Sequence, residues 1–282
     1  MAKAKAKNQT KGKQAKGKPL FRGLPWFAWL LIALAIAGIV VFVRIYPVGQ
    51  PPADNGGKLK AAIVDQLSSF RENEDFITEV TSELEDYGFE VDLYQGNNIT
   101  VDFYRGLSGR GYKLIVFRSH SGILEGEEQT YYKTTLFTNE EFDWKKHQLD
   151  VLDDRLFMAS IAEGYPWVFS ISQKFISKSM TKEFDDTVII MMGCSGIYLT
   201  DLAEAFVDKG ASAYLAWDAS VDLHYVDEAT PYLIGQLCSE KATIKEAVDS
   251  TMDVIGPDPK YEAELKYYPS GTGDKTLEEL IR

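Results

Sequence analysis

Between Thr187 and Asp218 the chain reads TVIIMMGCSGIYLTDLAEAFVDKGASAYLAWD, and this stretch limits the fold more than any other. Thr187 to Met192 is an apolar run of strand length, rich in β-branched residues, that stops at Gly193, Cys194, Ser195 and Gly196. Such a run suits a strand buried on both faces. Leu202, Ala203, Ala205, Phe206 and Val207 then recur at helical spacing up to Lys209-Gly210, and Ala213 to Trp217 is a second apolar run. The order strand, glycine-flanked cysteine, helix, strand sets one thiol at the carboxyl end of a parallel strand, where open α/β sheets hold their ligands.

The 282 residues and 45% hydrophobic content allow one large or two small domains with a buried core. Residues 1–22 carry eight basic residues, Lys3 to Arg22, and no acid, which predicts a solvated cytoplasmic tail. Trp26 to Val43 has no charged residue, and 18 residues at about 1.5 Å each give roughly the thickness of a bilayer's hydrocarbon. Residues 24–46 are therefore expected to form one transmembrane anchor in a lipid bilayer. A cleaved signal peptide would have a shorter apolar core and a small-residue cleavage site beyond it, which Phe42 to Tyr46 does not offer. The basic excess before the segment, against Arg44 alone just after it, predicts a cytoplasmic amino terminus and an extracytoplasmic remainder.

Beyond the anchor the charge balance reverses. Nine of the 30 basic residues precede Asp54, the first acid, so 21 basic residues face all 42 acidic ones in the rest of the chain. A surface of that sign repels nucleic acid. With only Cys194 and Cys238 there is no disulfide framework, although one bridge between them would silence a thiol. Cys238 lies in a helical pattern with Leu233, Ile234 and Leu237, the usual setting of a buried free thiol.

Residues 47–58 (PVGQPPADNGGK) read as a Pro/Gly linker, and 59–282 as the domain it carries. Strands are expected at Leu59–Leu67, Phe89–Tyr94 and Tyr112–Phe117, with helices at Asn73–Tyr87 and Ile99–Leu107 between them. Repeated βα units imply an α/β fold in three layers with a mostly parallel central sheet. From about 123 to 184 the pattern turns β-rich: Thr130–Thr138, Arg155–Ala162 and Trp167–Ile176 read as inserted hairpins. Asp227–Cys238 and Thr243–Ile255 look helical, and the carboxyl end is mixed and charged.

Of the three histidines, His147 (in DWKKHQ) and His224, in a loop of acids and aromatics, read as surface or capping residues. His120 differs, because it follows the apolar run KLIVF as Cys194 follows VIIMM, each trailed by serine and glycine. Two parallel strands ending this way can bring an imidazole to a thiol, favouring the thiolate or taking its proton. A thiol after a buried strand serves packing as readily as chemistry. No His/Cys cluster has metal-ligand spacing, and no cofactor motif is present.

KLIVFRSHSG and VIIMMGCSG together resemble the strand-His and strand-Cys blocks of the caspase-like cysteine peptidases, the group of caspases, legumains, clostripain, gingipains, separases and CHAT domains. MMGCSG followed by FVDKGASAYLAWDASVD is most similar to separases and CHAT domains, and the likeness covers roughly Leu59 to Glu240. It implies a caspase-like sandwich in which Cys194 is the nucleophile, His120 the general base and acid, and the amides of Cys194 and of Ser121 or Gly122 the oxyanion hole. It also implies a polypeptide substrate, and by analogy an acidic pocket for a basic side chain, for which Asp218 or Asp222 could serve. Ser121 stands where the family usually has glycine, and the 74 positions from His120 to Cys194 exceed the roughly 50 of caspases, as inserted hairpins would require. The expectation is a membrane-anchored cysteine endopeptidase. A transamidase or peptide ligase on the same dyad, and a non-catalytic tethered binding domain, remain as alternatives.

Overall fold

The computed structural model of the chain describes residues 59–125 and 132–282. The expected tail, anchor and linker lie outside the described residues. Among those described, no helix is long and apolar enough to cross a membrane.

Five strands form the parallel part of a six-stranded central sheet: β1 (Lys60–Asp65), β2 (Glu90–Gln95), β3 (Leu114–Arg118), β8 (Thr187–Met191) and β9 (Ala211–Trp217). Its order is β10-β9-β8-β3-β1-β2, and only β10 (Leu265–Tyr268), paired to β9, is antiparallel. The inner strands β1, β3, β8 and β9 are mostly apolar because both faces are covered, whereas the edge strands β2 and β10 carry Glu90, Asp92, Gln95 and Lys266. The period of two divides the inner strands between two cores. Ala61, Ile63, Leu114, Val116, Val188, Ile190 and Leu215 join one, under helices α1 (Glu74–Tyr87), α6 (Leu223–Cys238) and α7 (Ile244–Val254). Ala62, Val64, Ile115, Phe117, Ile189, Met191 and Tyr214 join the other, with α2 (Val101–Leu107), α4 (Gln173–Ser179) and α5 (Asp201–Asp208). This is the expected α/β sandwich with a mostly parallel sheet.

Helix limits follow local chemistry. Asn73 caps α1 by accepting from the Phe76 amide, and Gly88, at φ +112°, ends it in the left-handed conformation that glycine adopts without strain. The capping box of Thr243 and Glu246 starts α7.

The β-rich insertion is a second, antiparallel sheet of order β4-β5-β7-β6: β4 (Ser121–Glu125), β5 (Tyr132–Glu141), β6 (Leu156–Ala159) and β7 (Val168–Ser172). A one-turn helix, α3 (Gln148–Leu152), lies between β5 and β6. The structure departs from the sequence reading in four places here and beyond. β4 starts at Ser121, directly after His120 and two residues before the β-rich stretch was expected to begin. The apolar run expected as one strand to Ile176 breaks at Ser172, whose hydroxyl accepts from the Lys174 amide and caps α4. Asp222 caps α6 through the His224 amide, so this helix starts four residues before the expected Asp227 and takes His224 out of its expected loop. The charged carboxyl end holds the edge strand β10 and a short final helix, α8 (Leu277–Leu280), where no element was expected.

Candidate active site

β3 and β8 are adjacent and parallel, with Phe117 opposite Met191 and the Met192 amide donating to the Phe117 carbonyl at 2.9 Å. His120 lies three residues past Phe117 and Cys194 three past Met191. Equal offsets from a shared register carry both out at the carboxyl edge in the middle of the sheet. The two exit segments are also tied to each other. The Ser121 hydroxyl donates to the Cys194 carbonyl at 2.7 Å. A Cβ at position 193 would stand 2.2 Å from the Ser121 Oγ and 2.6 Å from the Ser119 carbonyl oxygen, so Gly193 is required by the crossing of the two segments. Ser195 has φ +54°, an uncommon backbone for a residue with a Cβ, and its amide is held by the Ala219 carbonyl at 2.8 Å.

The two candidate groups have different neighbours. The Cys194 Sγ accepts from the Val221 amide at 3.4 Å and donates to the Val221 carbonyl at 3.7 Å. The imidazole of His120 lies near the rings of Phe70 and Phe137, with centroids 5.8 and 5.9 Å away, and its Nε2 is buried with no hydrogen-bond partner among the described residues. Burial and then the neighbouring Arg118 charge push the His120 pKa down to about 4, so the ring is neutral and able to accept a proton at neutral pH. No hydrogen bond joins imidazole and thiol in this arrangement.

The β4–β5 register separates the two expected oxyanion donors. The Phe137 amide donates to the His120 carbonyl, and alternation along an antiparallel ladder then makes Gly122–Thr135 a hydrogen-bonded pair and Ser121–Leu136 a non-bonded one. The Thr134 amide, next along β5, turns instead to the Asp201 carboxylate, in keeping with that phase. The ladder therefore engages the Gly122 amide and leaves that of Ser121 outside it. The Cys194 amide likewise donates to no acceptor among the described residues.

Beneath the edge, Arg118 is fully buried and holds three segments together. It donates to Asp65 at the end of β1 at 2.8 Å, to both oxygens of Asp227 on α6 at 2.8 and 2.9 Å, and to the Arg71 carbonyl. Removing one partner of such a buried pair costs about 3–5 kcal/mol because it strands a charge.

Asp218 and Asp222, the expected substrate carboxylates, make main-chain contacts. Asp218 accepts from the Glu264 amide beside β10, and Asp222 caps α6 while its own amide donates to buried Asp258. His147 holds the N-cap position of α3, one of its two expected roles, but without a side-chain cap bond, and its ring, 16% exposed, bonds Glu140 at 3.1 Å. Cys238, the last residue of α6, is buried, with its pKa pushed up to about 12 by burial and then by Glu83; both cysteines are free. Among the described residues no group of acidic, histidine and cysteine side chains could hold a metal.

Sequence reasoning missed the Ser121 hydroxyl as a tie, the Val221 peptide as the partner of the thiol, and the buried amide of Gln66 with its half-buried partner Asn139 beside His120. None has a local signal, since each contact joins residues 27 to 73 positions apart. No protein-family model matches the chain, and no curated protein matches it.

Proposed function

We propose that the chain is a membrane-anchored cysteine endopeptidase of the caspase-like kind, acting on polypeptides outside the cytoplasm. The observation that carries this reading is the shared register that brings His120 and Cys194 to one edge, on segments joined by the Ser121 hydroxyl. In the reaction Cys194 leaves the Val221 peptide and passes its proton to the neutral His120. The thiolate attacks the scissile carbonyl carbon, and the amides of Cys194 and Ser121 receive the charge that develops on its oxygen. His120 returns the proton to the departing amine as the C–N bond breaks. Water, deprotonated by the same imidazole, then hydrolyses the thioester and frees the thiol. The caspase-like likeness and the predicted anchor supply the fold family and the location.

The test is labelling of the full chain in detergent with a peptidyl acyloxymethyl ketone, read by mass spectrometry. Modification at Cys194 that His120→Ala abolishes is the expected result. Absence of labelling in the unmodified chain would leave a tethered binding domain as the better reading, and a ligated product on adding an amine-bearing peptide would point to acyl transfer.

A further inference from the structure

His120 stands where the chain passes from the central sheet to the antiparallel one, between β3 and β4 and inside neither strand. Its carbonyl takes the Phe137 amide, but its own amide donates at 2.9 Å to the side-chain Oε1 of Gln66. Gln66 follows β1, is 2% exposed, and belongs to the short turn Gln66–Ser69. Its Nε2 donates to the Asn139 Oδ1 at 2.7 Å, and the Asn139 Nδ2 donates back to the Gln66 carbonyl at 3.1 Å and to the Gly96 carbonyl at 2.9 Å. Two carbonyl acceptors fix which end of the Asn139 amide is nitrogen. That fixes the Gln66 nitrogen in turn, and leaves the Gln66 oxygen directed at His120.

This chain of satisfied amides ends on the His120 amide and so fixes the direction of the His120 peptide. Resting on the peptidase reading above, we infer that Gln66 is a positioning residue for His120: through the His120 amide it sets where the imidazole leaves the edge, with Asn139 holding Gln66 in the required orientation. An apolar isostere at position 66 would keep the volume and lose the acceptor. The imidazole would then leave the Phe70 and Phe137 rings for water.

The experiment compares the full chain with Gln66→Met. Histidine 13C NMR follows the His120 titration, and two reagents probe Cys194: a peptidyl acyloxymethyl ketone, which needs an oriented base, and iodoacetamide, which does not. The expected result is a His120 titration moved up by about one unit or more toward the free value near 6.5, with ketone labelling slowed roughly 30-fold and iodoacetamide labelling within about threefold. An unchanged titration together with unchanged ketone labelling overturns the assignment. If the unmodified chain takes no ketone label, the peptidase reading fails, and the titration alone decides the positioning role. If Gln66→Met does not fold, Asn139→Ala takes its place, with the same upward movement and about fivefold slower labelling expected; no movement there overturns the inference.

Discussion

The carboxyl edge of the central sheet and the layer between that sheet and α6 and α7 are built on opposite terms. Along the second half of α6 Ala229, Leu233, Ile234 and Leu237 pack into hydrocarbon, and Cys238, buried with them, has its thiol held protonated by burial. At the edge Asp65, Gln66, Arg118, Ser119 and Ser121 are all at most 6% exposed, and each is bonded to a partner from elsewhere in the chain or to an adjoining main-chain group. Burying an Arg with two carboxylates is a poorer source of stability than packing apolar side chains of the same volume. The difference teaches that the edge is arranged to fix directions, whereas the layer under α6 is arranged to exclude water.

The strongest way to break that comparison is to exchange the fates of the two thiols. Cys194→Ala should lower peptide turnover by about a thousandfold or more, while Cys238→Ala should leave it unchanged and lose roughly 1–2 kcal/mol of stability through lost packing. Turnover assays with denaturant melts check both, and a Cys238→Ala chain as inactive as Cys194→Ala would end the distinction. Next in size, Arg118→Met should cost about 3–5 kcal/mol in urea unfolding, because Asp65 and Asp227 lose their cation. A neutral result would mean that the edge needs its charge cluster no more than the α6 layer does.

The third contrast is in pH. His120 is held neutral in the fold, with its pKa lowered to about 4 against 6.5 in the unfolded chain. As pH falls through the unfolded value the unfolded state binds the proton first, so stability drops between pH 6.5 and about 4, by up to roughly 3 kcal/mol, and levels off below that. His120→Leu should remove this part of the slope, as measured by melts across that range, whereas Cys238→Ala should keep it. The smallest effect sharpens the picture of the Cys194 segment. Ser195→Gly should raise stability by up to about 1 kcal/mol, since glycine adopts φ +54° without strain. A loss instead would show that the Ser195 side chain contributes more than its backbone costs.

The alternation of strand and helix, the parallel sheet and the two strand-end residues were legible because each depends on neighbours in sequence. KLIVF and VIIMM are too apolar to be anything but doubly buried strands, and the residues just after such a strand emerge at its carboxyl end. The insertion was legible as β-rich, but its last strand was read too long because Ser172, a cap, lies within an apolar run. β10 was missed since an edge strand with one exposed face, Leu265 to Tyr268, has no continuous apolar pattern. At the site Gly193 makes room for the Ser121 hydroxyl and the Ser119 carbonyl, a demand set by a segment distant in the chain and so without a local signal.

Local pattern by itself determined most of the strands and helices of the central sheet and which two side chains stand at strand ends, since periodicity and burial act over a few positions. Tertiary structure alone decided that β3 lies beside β8, that the β4–β5 ladder engages the Gly122 amide and leaves that of Ser121 outside, that Val221 holds the thiol and that Gln66 holds His120. These are hydrogen bonds and registers between segments distant in the chain, and a donor's choice among distant acceptors is made only when folding has brought them within about 3 Å.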